Sequence, residues 1–91
     1  MTANQTIDIF SDLGFPPAEA ENLRIRSAMM RALIGHIRKN KLTQIRAARL
    51  LSVTQPRISE ITRGKVELLS LDYLVVLCAK AAIPVGVRLA A

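Results

Sequence analysis

The sequence predicts a mainly α domain of four to five helices with a short β-strand at its C-terminal end. Three observations predict it. With 91 residues, 51% apolar and 3% aromatic, the chain can build one core, is too apolar to stay disordered, and lacks the aromatic content that β-rich cores favour. Apolar residues between Ala20 and Ile37 recur at spacings of three, four or seven, the period of a helix face. Beyond them, hydroxyl residues stand just ahead of short apolar segments, where helix N-caps belong.

Residues 1–16 keep no period and end in Asp12-Leu13-Gly14-Phe15-Pro16, so they are expected to form an acidic and apolar arm ahead of a single domain over 17–91. Pro17 suits a first helical turn. From there Ala20, Leu23, Met30, Leu33, Ile34 and Ile37 make one face. Glu19 and Glu21 at the start and Arg38 and Lys39 at the end complement the helix dipole. A helix over 17–39 follows, with a possible kink at Gly35. Asn40-Lys41-Leu42 connects it to a second helix over 44–51, capped by Thr43, with Ala47, Ala48 and Leu51 inward. Ser52 and Val53 turn the chain. Thr54 caps a third helix over 55–63, Pro56 sits in its first turn, and Gly64 stops it. Ser70 caps a fourth, whose apolar face is expected to be Leu71, Leu74, Val75, Cys78, Ala81 and Ala82, with Pro84 beyond its end. Over 83–89, Ile83, Val85, Val87 and Leu89 alternate with Pro84, Gly86 and Arg88, the period of a strand. No repeat or low-complexity segment interrupts the series.

The net charge of +6 is unevenly spread. Residues 1–23 hold Asp8, Asp12, Glu19 and Glu21 with no base, and residues 24–35 hold Arg24, Arg26 and Arg31 with no acid. Residues 36–65 set Arg38, Lys39, Lys41, Arg46, Arg49, Arg57, Arg63 and Lys65 against Glu60 alone. Such a stretch suits a polyanion, because each phosphate neutralised by Lys or Arg releases condensed counterions; it also suits a solvated face that keeps a protein soluble.

Several classes of function find no support. The lone Cys78 closes no intramolecular disulfide, and no Cys/His cluster offers a metal cage. Cys78, Met29 and Met30 are expected in the core or an interface, and His36 as an exposed or half-buried structural residue. No P-loop, dinucleotide fingerprint or catalytic carboxylate pair is present, so neither catalysis nor a cofactor nor a small-molecule substrate is expected. The N-terminus lacks the features of a signal peptide and no apolar run could span a bilayer, so a cytoplasmic location is expected.

Segment 43–64, TQIRAARLLSVTQPRISEITRG, reads as two short capped helices around a tight turn, with small residues inside the angle and bases outside. It resembles the Xre family, the Cro and phage-repressor type of helix-turn-helix domain. Thr43, Gln44, Ala48, Leu51, Val53, Ile58, Ser59 and Gly64 match that pattern, and Thr54 replaces Ser as an equivalent cap. Ala47 departs from a usual Leu, Thr62 from a usual Glu, and Ser52 from a Gly suited to positive φ.

Stepping 100° per residue along the third helix turns Ile58 and Ile61 inward and Pro56, Glu60 and Arg63 outward. Gln55 and Arg57 flank that surface, with Ser59 at its edge. These are the candidate base-reading residues. Gln55 suits adenine N6 and N7, Arg57 or Arg63 suits guanine O6 and N7, Glu60 can accept from cytosine N4, and Pro56 can touch a thymine methyl. The resemblance implies the same surface, since the family's positions corresponding to Gln55, Pro56 and Glu60 lie at base edges. Gln44 and the backbone amides at the start of the second helix are candidate phosphate anchors, with Lys41, Arg46 and Lys65 adding charge and Thr43 and Thr54 as further positioning residues.

The flanks, FSDLGFPPAEAENLRIRSAMMRALIGHI and LLSLDYLVVLCAKAAIPVGVRLA, resemble small HigA-like antitoxins, the likeness spanning about residues 10–90. That resemblance implies a homodimer that represses its own operator in bacterial cytoplasm, at the nucleoid, and neutralises a RelE-like, HigB-type mRNA-cleaving toxin. The alternating strand supports a dimer, with Val85, Val87 and Leu89 pairing across a two-fold axis. Residues 1–23, apolar and acidic, are the candidate toxin contact. A free-standing transcriptional regulator without a toxin and a protein-interaction module that has lost DNA binding remain as alternatives. RNA ranks lower, because three aromatic residues give few stacking platforms.

Overall fold

The computed structural model describes residues 9–90. A helical turn over 9–12 leads into α1 (Pro17–Lys39), α2 (Gln44–Leu51), α3 (Gln55–Thr62), a 3₁₀ turn (Val66–Leu68) and α4 (Leu71–Lys80). Ile7 and Asp8, assigned to the arm from sequence, lie outside the described residues. The four helices fall within a residue or two of their expected bounds, and α1 runs unbroken through Gly35.

The predicted hydroxyl caps all form. Thr43 Oγ1 accepts from the Arg46 amide at 3.1 Å, Thr54 Oγ1 from the Arg57 amide at 3.3 Å, and Ser70 Oγ from the Tyr73 amide at 3.1 Å. Each hydroxyl satisfies one of the amides that a helix start leaves without a partner, a contribution of about 1 kcal/mol. α1 starts instead at Pro16 and Pro17, where the missing proline N–H removes a donor that would otherwise be orphaned.

The four helices also end alike. After each, a residue in left-handed conformation donates its N–H three residues back, and the residue that follows it donates five residues back, to the preceding carbonyl. For α1 these bonds are Leu42 to Ile37 and Lys41 to Arg38; for α2, Val53 to Ala48 and Ser52 to Arg49. For α3 they are Lys65 to Glu60 and Gly64 to Ile61, and for α4 Ile83 to Cys78 and Ala82 to Ala79. Only α3 uses glycine. Lys41, Ser52 and Ala82 take φ of 52°, 56° and 58°, a conformation that costs a residue with a Cβ about 1 kcal/mol or more. Leu42, Val53 and Ile83, one residue later, pack against the core, the apolar contact that accompanies this ending and offsets the strain.

The core joins every helix. Met29, Met30, Leu33 and Ile37 of α1 meet Ala47, Ala48 and Leu51 of α2, Ile58 and Ile61 of α3, and Leu74, Leu77 and Cys78 of α4. α1 lies along α4 and α3, and α2 packs on α3. Burying a Leu- or Ile-sized side chain contributes about 1.5–3 kcal/mol, so this cluster holds the angle between α2 and α3. Cys78 is buried within it, and desolvation pushes its thiol above the ordinary value of 9.0.

Two expectations are overturned. Val75 and Ala82 are exposed, Val75 at 44%, and Leu77 takes the core position instead. Leu74, Cys78 and Ala81 are buried as expected and Leu71 packs against the core, so the stripe differs from the expected one by Leu77 in place of Val75 and Ala82. The chain also forms no β-strand over 83–89, nor anywhere among the described residues. Ile83 commits its N–H to Cys78 in the helix ending, and beyond it Val85, Val87 and Leu89 run exposed with no ladder partner among the described residues.

Candidate nucleic-acid interface

The capped turns at Thr43 and Thr54 hold the N-terminal ends of α2 and α3 close enough for their first side chains to bond. Gln55 Nε2 donates to Gln44 Oε1. A candidate base-reader on α3 and a candidate phosphate anchor on α2 are thus joined. The approach is possible because Ala47 and Ala48 are buried on the inner side of α2, where a bulkier residue would hold the helices apart.

Gln55, Pro56 and Arg63 are exposed on the outer side of α3, and Ser59, Glu60 and Arg57 are half-buried along it. Ile58 and Ile61, directly behind, are fully buried, so the helix presents one face outward as its period requires. Arg63 stands just past the last helical residue, where its Nε donates to the Ser59 carbonyl at 3.3 Å. Ser59 therefore contributes through its backbone to the end of the helix. Lys41, Thr43, Gln44, Arg46, Thr54 and Lys65 are all exposed. Thr43 and Thr54 accept cap bonds through their side chains, which leaves Lys41, Arg46 and Lys65, with the amide donors of Gln44 whose oxygen already accepts from Gln55, to meet phosphate.

Arg57 departs from the expectation of a free base-reader. Its Nη1 donates to Glu60 Oε1 at 2.8 Å, with the two side chains 35% and 29% exposed. Its Cζ also lies 5.2 Å from the centre of the Tyr73 ring on α4, within reach of a cation–π contact. Tyr73 was not singled out from sequence. No local pattern could have pointed to it, because its partner lies sixteen positions back on another helix.

Val85, Val87 and Leu89 are 44%, 84% and 86% exposed. Among the described residues no group of three or more His, Cys, Asp or Glu could hold a metal, and no helix is long and apolar enough to cross a membrane.

A protein-family model described as a helix-turn-helix domain matches residues 9–89. Comparison with curated proteins and with solved structures gives no match.

Proposed function

The chain belongs to the helix-turn-helix domain family, and from that premise we propose that it is a sequence-specific regulator that sets α3 in the major groove of duplex DNA. The observation that carries this reading is the outer face of α3, where Gln55, Pro56, Arg57, Glu60 and Arg63 stand over a fully apolar inner face and beside the cations Lys41, Arg46 and Lys65. The first group offers donors and acceptors suited to base edges, and the second, with Gln44 and the amides at the start of α2, offers anchors that fix register on the backbone. Ser59 stiffens the helix end from which Arg63 projects.

Fluorescence anisotropy against DNA upstream of the protein's own reading frame, with scrambled duplex as control, tests the reading. Selective binding is expected, with log K falling by about 0.9 per phosphate contact for each unit of log salt. Arg57→Ala and Glu60→Ala should lose selectivity more than affinity. Equal, weak binding to both duplexes would favour a protein-interaction module instead.

A homodimer fits this role, because a two-fold protein reads a two-fold operator. The exposed Val85, Val87 and Leu89 are the proposed contact, with a strand forming only when a second copy supplies the ladder. Sedimentation at micromolar concentration should give twice the mass of one chain.

The antitoxin role is the finer proposal, favoured over a free-standing regulator by the N-terminal segment. Ile9, Leu13 and Phe15 are exposed there beside Asp12 and Glu19, and Phe15 with Leu23, Arg26 and Glu67 lines a shallow cleft of about 340 Å³. An apolar, acidic surface away from α3 suits a basic nuclease without competing for DNA. The proposed arm over 1–16, ahead of the domain over 17–91, would then be the toxin-binding element. Deleting residues 1–15 should abolish co-purification with a neighbouring RelE-like protein and leave DNA binding in place.

A further inference from the structure

We infer that Arg57 and Glu60 read a G·C base pair as one unit, and that Tyr73 of α4 is the positioning residue that sets the guanidinium plane for that reading. The inference rests on the DNA-binding role proposed above and names the specificity of the same surface.

Three contacts restrain the unit. Arg57 Nη1 donates to Glu60 Oε1 at 2.8 Å, the Tyr73 ring lies 5.2 Å from Cζ, and the Tyr73 amide is itself held by the Ser70 cap at 3.1 Å. Tyr73 is half-buried and packs against the core. Its ring is therefore fixed to the scaffold, whereas an arginine on an open helix surface would sample many rotamers. Restraint before binding removes part of the ordering cost that a long side chain otherwise meets at an interface.

The restrained groups carry a definite pattern. With Nη1 turned to Glu60, the Nε and Nη2 donors of Arg57 make no other hydrogen bond among the described residues, and the second carboxylate oxygen of Glu60 can still accept. The unit therefore offers donors on one side and an acceptor on the other. Across the major groove a G·C pair presents two acceptors, guanine N7 and O6, followed by the cytosine N4 donor, which matches it. An A·T pair presents acceptor, donor, acceptor, and a C·G pair reverses the order. Both would set like against like at one or more positions.

Selection from a randomised duplex library, followed by affinity measurements on single-base variants of the selected site at two salt concentrations, tests this. The wild type is expected to select a site with an invariant G·C pair whose replacement by A·T or C·G weakens binding about tenfold or more. Tyr73→Leu should remove most of that penalty at this one pair while keeping the salt slope, and Tyr73→Phe should retain it. Arg57→Lys should also lose it, because the charge remains without the planar fork. Thermal melting of each variant separates these effects from unfolding, and Tyr73→Met serves if Tyr73→Leu does not fold.

Tyr73→Leu retaining the full penalty, or weakening binding to every duplex equally, would overturn the positioning role. Loss of discrimination at a pair other than G·C would overturn the assigned specificity. A wild type that selects no site would instead sink the DNA-binding reading itself, before Tyr73 is tested.

Discussion

Segments 43–64 and 83–90 are both rich in apolar residues at regular spacing, yet one is the best-built part of the molecule and the other runs exposed. In the first, every signal finds its partner inside the chain: Thr43 and Thr54 cap their helices, Ile58 and Ile61 fill the core, and Val53 packs after the turn. In the second, the alternation of Val85, Val87 and Leu89 meets no second strand among the described residues. Capping is a local property that a helix satisfies by itself. Alternation describes a surface, and it becomes structure only when something covers that surface.

The largest expected break in the comparison comes from the core. Ile58→Ala should destabilise the fold by about 2–5 kcal/mol, because the site is fully buried and the neighbouring helices cannot collapse into the gap. Urea unfolding at fixed protein concentration checks it. Thr54→Ala should cost about 1 kcal/mol by the same measurement, since it orphans the Arg57 amide at the start of α3.

The C-terminal ends of α2 and α3 sharpen the contrast further. Gly64→Ala should cost about 1 kcal/mol even though a Cβ there would meet nothing within 4 Å, because the penalty lies in the backbone at φ 72°. Ser52→Gly should move the midpoint the other way, a gain of up to about 1 kcal/mol, by relieving the same strain. Val87→Ser should be the smallest, within about 0.5 kcal/mol for the monomer. If the tail pairs two copies, that change should appear instead as a weaker dimer in sedimentation, and an unchanged dimer would move the contact elsewhere.

What was legible in the sequence follows the same division. The bounds of α2 and α3, the three hydroxyl caps and the inward Ala47, Ala48, Leu51, Ile58 and Ile61 all follow from residues within one turn of each other, and the positive φ at Ser52 follows from the resemblance, whose pattern places Gly there. The 3₁₀ turn over Val66–Leu68 and the burial of Leu69 were not foreseen, because three residues carry no readable period. The stripe on α4 was misdrawn because an apolar residue sits at nearly every position from Leu74 to Ala82, and only the packed neighbours decide which of them are covered. For the site, the outer face of α3 was predictable from geometry. The Arg57–Tyr73 contact was not, since it depends on how α4 crosses the end of α3.

The interior has one more consequence, in how the molecule should respond to acidity. Among the described residues no polar or charged residue is fully buried, so the core itself is built from apolar side chains and one thiol. Within it the Cys78 thiol is raised by burial. Its contribution to stability is complete below the ordinary value of 9.0 and is lost as pH rises through the higher folded value. Alkali, rather than acid, is therefore the side from which this buried thiol exposes the core to pH.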